Sequence, residues 1–178
     1  QYRLENVEKI ASYTKFSDVK KVIRQKIRRL EYFDKFCELI IGKNIAELID
    51  DKSTLQMGIG TIPDAVLRCL NNHKDLGVHT EMISDGIVDL IANDVINNKF
   101  KGTHLNRTIT SFAFGTKKLY DYLDDNPSIQ FMDVEHVNYP INIMKNKKMV
   151  AINPAIEIAL TGQVCPDSIG TYQVSVIS

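Results

Sequence analysis

The run from Leu55 to Gly86, LQMGIGTIPDAVLRCLNNHKDLGVHTEMISDG, constrains the fold more than any other part of the chain. A β-prone segment from Ser53 to Met57 stops at Gly58-Ile59-Gly60, and after Pro63 the residues Ala65, Val66, Leu67 and Leu70 recur at helical spacing. Asn71 and Asn72 end that helix. A second β-prone run follows from Leu76 to Met82, with Asp85-Gly86 just beyond it. Strand, glycine turn, helix and strand make a βαβ unit. In open sheets built from such units, ligands sit outside the carboxyl ends of the strands. Those ends carry Gly58-Ile59-Gly60 and Glu81, which are therefore expected to face one crevice.

The glycines let the main chain turn tightly and approach a ligand, and Pro63 suits the first turn of a helix. Backbone N–H groups near Gly58 and Gly60 are then expected to stay unpaired and to point at an anion. A tight βα turn with no ligand explains the same glycines. A dinucleotide loop would need a third glycine where Pro63 stands, and a P-loop would need a Lys-Ser or Lys-Thr pair. At the second strand end, His79 and Glu81 are two apart and share a face, while Thr80 points the other way. A solvated or lysine-paired glutamate is one reading of Glu81. A zinc deaminase site is another, but its Pro-Cys-x-x-Cys partner is missing and Cys165 stands alone, so no metal is expected.

Four further segments follow in order: FGTKKLYDYL from Phe114, NPSIQFMDVEHVNYP from Asn126, INIMKNKKMVAIN from Ile141 and LTGQVCPDSIG from Leu160. Together with LQMGIGTIPDAV and GVHTEMISDG, they make the chain from about Ile41 to Ser175 resemble the C-terminal domain of the acetyl-CoA hydrolase/CoA-transferase family. The similarity is greatest to its 4-hydroxybutyrate and butyrate CoA-transferase branch. The resemblance implies an α/β fold, an open and mostly parallel sheet with flanking helices, of the CoA-transferase-like (NagB/RpiA-like) kind. It implies that Glu81 is the nucleophile. It implies that Gln56, Gly58, Ile59, Gly60 and Thr61 of the glycine run line a CoA and oxyanion site, joined by Asn153, Gly162 and Gln163.

The implied reaction is CoA transfer from a short-chain acyl-CoA to a carboxylate through a glutamyl-CoA thioester. CoA is a substrate, and no permanently bound cofactor is expected. An acyl-CoA hydrolase with the same Glu81, and a non-catalytic binding or assembly module, are the alternatives. The family also carries an N-terminal domain and a glycine-rich GxGGQ-type loop just after the position of Ser175. Residues 40–178 are accordingly read as a C-terminal-type domain truncated at its end, and Gln1 as the start of a piece. Such a piece alone is expected to expose an apolar patch and self-associate, and the complete protein is expected to be a homo-oligomer.

Composition narrows the rest. Lysine plus arginine equal aspartate plus glutamate at 22 each, which argues against a nucleic-acid partner. Hydrophobic residues make up 44% of the 178 residues, which reads as a soluble globular chain, and no apolar run reaches membrane-spanning length. Cys37, Cys69 and Cys165 lie far apart without a disulfide or metal spacing, which fits a reducing, cytoplasmic compartment. Residues 1–39 stand apart as a basic helical segment without family match, since Gln1 to Lys35 holds ten Lys/Arg against five Asp/Glu. Downstream, a helix is expected through Ile87, Leu90 and Ile91, capped by Ser84 or Asp85, then a polar loop from Asn93 to Asn106. Strands are expected at Thr108 to Phe114, Ile129 to Met132, Met149 to Ile152 and Ile156 to Leu160. Helical segments are expected at Thr116 to Asp124 and Ile141 to Met144.

Overall fold

The computed structural model describes residues 16–173 of the chain. Its contacts divide into two compact units, the first reaching Glu38 and the second running from Leu39. Helix α1 (Phe16–Ala46) is continuous across that boundary. The rest of the basic segment, residues 1–15, lies outside the described residues.

In the second unit the βαβ unit forms as the punctuation requires. Strand β1 (Thr54–Met57) leads through the glycine turn into α2 (Thr61–Cys69), and β2 (Gly77–Val78) returns parallel to β1, with Leu55 opposite Val78. The expected strand from Leu76 to Met82 is interrupted. It resumes as β3 (Met82–Ile83), and the residues between bulge out at Glu81. The neighbouring strand breaks at the same level into β4 (Thr108–Thr110) and β5 (Phe112–Ala113). His79 pairs with Ile109 and Met82 with Phe112, the same offset on both sides of the break. The two halves are one parallel ladder with a shared irregularity, and such irregularities re-aim side chains next to sites.

Strand β6 (Ile129–Phe131) adds parallel to β4, and β7 (Met149–Ile152) adds parallel to the far side of β1. The spatial order β7-β1-β2/β3-β4/β5-β6 makes an open parallel sheet. The chain steps outward from β1 in one direction and returns last to β7. The topological switch point is therefore between β1 and β7, where ligands bind in sheets of this kind.

Helices α2, α3 (Gly86–Ala92) and α4 (Lys117–Leu123) cover one face. Val66, Leu67, Ile87, Leu90 and Leu119 meet Leu55, Met57, Val78 and Ile83 there in one apolar core. The other face meets α5 (Val134–Asn138), α6 (Pro140–Met144) and the 97–107 loop. Beyond the sheet, β8 (Glu157–Ile158) and β9 (Val164–Cys165) form an antiparallel hairpin, as do β10 (Ser168–Ile169) and β11 (Tyr172–Gln173).

One local expectation is corrected. Neither Ser84 nor Asp85 caps α3 through its side chain. Ser84 instead donates to Asp64 at 2.7 Å, and the Asp85 carboxylate takes the N–H and hydroxyl of Thr116, because those partners tie α3 to α2 and α4. The extended run expected from Ile156 to Leu160 forms, but it is a regular strand only at Glu157–Ile158, one arm of the β8–β9 hairpin, turned back by Gly162 at φ 86°.

Candidate active site

The carboxyl end of β1 is built by β7. Gly58 donates its N–H to the Ile152 carbonyl at 2.8 Å, continuing the ladder by one residue. A Cβ on Gly58 would stand 2.5 Å from the Asn153 Oδ1 and 3.1 Å from the Ile152 carbonyl oxygen, so any larger residue would displace the Asn153 side chain. The side chains of Gln56 and Asn153 then meet: Asn153 Nδ2 donates to Gln56 Oε1 at 3.1 Å and Gln56 Nε2 to Asn153 Oδ1 at 3.4 Å. Each amide keeps a second N–H proton for another acceptor.

The N–H of Gly58 itself is used by the sheet. The N–H groups of Ile59, Gly60 and Thr61 have no hydrogen-bond acceptor among the described residues. Gly60 is the N-cap of α2 at φ 135°, a conformation that only glycine adopts freely. The free donors thus lie one step further along the turn.

Glu81 sits in the bulge of the neighbouring strand. Its backbone carbonyl accepts three hydrogen bonds, from Ser111 N at 2.9 Å, Phe112 N at 3.0 Å and Thr110 Oγ1 at 3.0 Å. Its carboxylate is half-buried and accepts from Asn138 Nδ2 at 2.8 Å. The backbone is pinned, while the second carboxylate oxygen has no hydrogen-bond partner among the described residues. Thr80, fully buried, turns the opposite way and joins this bulge to β1. Its hydroxyl accepts the Met57 N–H at 2.9 Å and stands 3.0 Å from the Met57 carbonyl. Glu81 and Gly58 are each one residue from that shared contact, so the two strand ends stand side by side, as the βαβ reading requires.

His79 shares the face of Glu81. It is fully buried, and its Nε2 lies 2.8 Å from the Val137 carbonyl, one residue before Asn138. Burial holds its pKa below the usual histidine range, the Val137 bond opposes that, and the charges of Lys101, His104 and His136 lower it further. Lys101, 4% exposed, donates to the Val78 carbonyl at 2.7 Å and the Arg107 carbonyl at 2.8 Å, and burial lowers its pKa to about 7. No group of three or more His, Cys, Asp or Glu side chains among the described residues could hold a metal ion.

Gly162 and Gln163 are not brought to this cluster by any hydrogen bond. Both are exposed at the β8–β9 turn, where the Gln163 carbonyl accepts from Ala159 N. Asn138 was not singled out from its sequence. Its helix is five residues long, too short for periodicity, but Asp133 as N-cap (accepting from His136 N at 2.7 Å) and Pro140 as stop mark its ends.

A model of the acetyl-CoA hydrolase/transferase C-terminal domain matches residues 115–178. The chain is 52% identical over 138 residues to the 4-hydroxybutyrate coenzyme A transferase of Clostridium kluyveri, covering 78% of this chain and 32% of that protein. The chain belongs to the acetyl-CoA hydrolase/transferase family.

A second relative in the family, the succinyl-CoA:acetate/propanoyl-CoA:succinate CoA transferase of Fasciola hepatica, is 54% identical over 132 residues, 74% of this chain and 28% of that one. Among solved structures, the 4-hydroxybutyrate CoA-transferase of Porphyromonas gingivalis superposes with a TM-score of 0.69 at 51% identity, over 71% of this chain and 33% of its own. The chain spans about a third of the length of the curated relatives it matches.

Proposed function

We propose that residues 40–178 are the C-terminal-type domain of a CoA-transferase that moves CoA from a short-chain acyl-CoA, of the butyryl or 4-hydroxybutyryl type, to an acid such as acetate. The basic stretch before residue 40 lies outside that domain in this reading, and the complete protein works as a homo-oligomer. The observation that carries the proposal is Glu81: a glutamate at a strand break, its carbonyl tied by three donors and its carboxylate held by Asn138, in the strand that Thr80 joins to Met57, the residue before the glycine turn with its unpaired N–H groups.

A carboxylate is a weak nucleophile, but a thioester is an activated acyl donor and needs no general base for attack. One Glu81 oxygen attacks the acyl-CoA carbonyl, the C–S bond breaks, and a mixed anhydride and CoA thiolate form. The thiolate then attacks the Glu81 carbonyl carbon, leaving a glutamyl-CoA thioester and releasing the first acid as its carboxylate. A second carboxylate reverses both steps and leaves as the new acyl-CoA. Each attack builds an oxyanion. The free N–H groups of Ile59, Gly60 and Thr61, the spare proton of the Gln56 amide and the Asn153 amide are donors within the same crevice. Gly162 and Gln163 complete the CoA pocket in this proposal. Asn138, bonded to Oε2, leaves Oε1 as the attacking oxygen.

Incubating the complete protein with butyryl-CoA and no acceptor should make one side chain reactive to hydroxylamine or borohydride, on the peptide that contains Glu81. Glu81→Gln should abolish the mark, because an amide is a far poorer nucleophile. A mark on Cys69 or Cys165, or full transfer by Glu81→Gln, would falsify the proposal. The hydrolase reading shares Glu81 and differs in the acceptor. Free CoA appearing from butyryl-CoA at the same rate with and without acetate, and no acetyl-CoA, would favour it.

A further inference from the structure

Two side chains of one strand reach α5. Glu81 meets Asn138, and two residues earlier His79 meets the Val137 carbonyl. We propose that His79 is a positioning residue for the transfer reaction, fixing the end of α5 through its Nε2–H and so holding the Asn138 amide against the Glu81 carboxylate. The inference rests on the reading of Glu81 as the nucleophile and adds a residue to it.

Helix α5 has five residues, and the last carbonyls of a helix lack intrahelical donors. Here they are taken from two sides. Asn142 Nδ2 donates to the His136 carbonyl at 3.0 Å and His79 to the Val137 carbonyl at 2.8 Å. Asn138 itself is exposed, and its side chain makes a single hydrogen bond among the described residues, to Glu81. What holds that amide in place is therefore the anchoring of the residue before it. Removing the anchor frees the amide and lets both carboxylate oxygens wander, and a misplacement of about 1 Å at a reacting group costs on the order of a hundredfold in rate.

The surroundings also select the tautomer. A carbonyl accepts, so the imidazole proton must sit on Nε2, and Nδ1 is without a partner among the described residues. Lys101 and Arg107 of the 97–107 loop, His104 beside them, His136 on α5 and Lys145 after α6 make up the titratable side of this layer. None of these groups is a carboxylate that would hold an imidazolium. Burial and these neighbours lower the pKa of both His79 and His104, which keeps His79 neutral with its one proton aimed at Val137.

The test compares two amides of different reach in the complete protein. Glutamine places its N–H donor where Nε2 stands, whereas asparagine reaches only to the position of Nδ1. The readout is the rate at which butyryl-CoA makes Glu81 reactive to borohydride, per folded molecule. His79→Gln should label within about threefold of the wild type. His79→Asn should label at least about tenfold more slowly, at an unchanged half-saturating butyryl-CoA concentration. In an Asn138→Ala background the same His79→Asn change should cost less than about twofold, because the two residues act in series.

Wild-type labelling by His79→Asn, or full multiplication of its effect in the Asn138→Ala background, would overturn the proposal. If His79→Asn does not fold, His79→Gln decides: normal labelling supports the donor, and lost labelling in a folded protein overturns it. A wild-type label on a residue other than Glu81 would defeat the nucleophile reading. A label on Glu81 that ignores His79 defeats this inference alone.

Discussion

Val78 and His79 are neighbours in one strand and open onto two different kinds of interior. Val78 enters the apolar core with Leu55, Ile83 and the helices α2 to α4. His79 enters a layer that buries polar side chains beside Val137 and Ile109: Lys101, Asn98 and Asn146, with His104 and His136 next to them. The first face is non-directional, held by area removed from water. The second is held by named bonds, such as Asn98 Oδ1 to Val78 N at 2.8 Å and Asn98 Nδ2 to Thr108 Oγ1 at 3.1 Å. Polar layers of this kind specify one geometry because each unmet partner is costly. Glu81 stands on that second face, where direction matters to chemistry.

The largest effect on stability is expected from breaking the first face. Leu55 is fully buried on β1, and Leu55→Ala should cost about 2–5 kcal/mol by chemical denaturation. That loss should be the same at pH 6 and pH 9, since nothing that titrates is removed. A loss that changed with pH would show that the two layers are not independent.

The second face should answer to pH instead. Lys101 has a folded pKa of about 7 against an ordinary 10.5. Below pH 7 both folded and unfolded chains hold its proton. Between pH 7 and 10.5 the unfolded chain holds a proton that the folded one has released, so stability rises with pH in that window. From pH 7 to 9 the gain should be about 2 kcal/mol. A neutral amine still offers two N–H groups, one each for the Val78 and Arg107 carbonyls, so the bonds survive deprotonation. His79 and His104 are also lowered from the ordinary 6.5, so the unfolded chain takes up their protons first and stability falls further as pH drops below that value. Denaturation midpoints across pH 5 to 9 test both windows. Lys101→Met should remove the slope above pH 7 and leave the one below 6.5, and a persistent upper slope would assign it elsewhere.

The same contrast explains what could be read in the chain beforehand. The first face was legible because apolar periodicity and the Gly58-Ile59-Gly60, Pro63 and Asn71-Asn72 punctuation are local signals, and they placed β1, α2 and the return strand. Glu81 was singled out by its place at a strand end as well as by the resemblance, and Gln56 by the resemblance alone. The polar layer was not legible in the same way. Asn93 to Asn106 reads as a solvated loop, yet Asn98 and Lys101 are buried, because their partners are backbone groups of strands distant in sequence. Asn153 was expected in the pocket only by resemblance. Its contact with Gln56 depends on β7 pairing beside β1, a non-local event that no window of sequence contains.

The smallest effect on stability is expected where function should feel the most, at the Gln56–Asn153 pair. Both side chains are accessible at the mouth of the switch-point crevice, and their mutual bonds are 3.1 and 3.4 Å long, the second near the limit of a useful contact. Water can replace them, so Gln56→Ala should lower stability by no more than about 1 kcal/mol. The backbone of β1 would not move, because Gly58 N–H to Ile152 O and the Thr80–Met57 bonds hold it without help from the side chain. If the Gln56 amide supplies an oxyanion donor, turnover in the complete protein should nevertheless fall about a hundredfold. Denaturation and steady-state kinetics on the one variant separate the two. A variant that keeps wild-type turnover would reduce Gln56 to a polar residue at a strand end. One that loses several kcal/mol would place it with the buried layer, where structure and chemistry cannot be pulled apart.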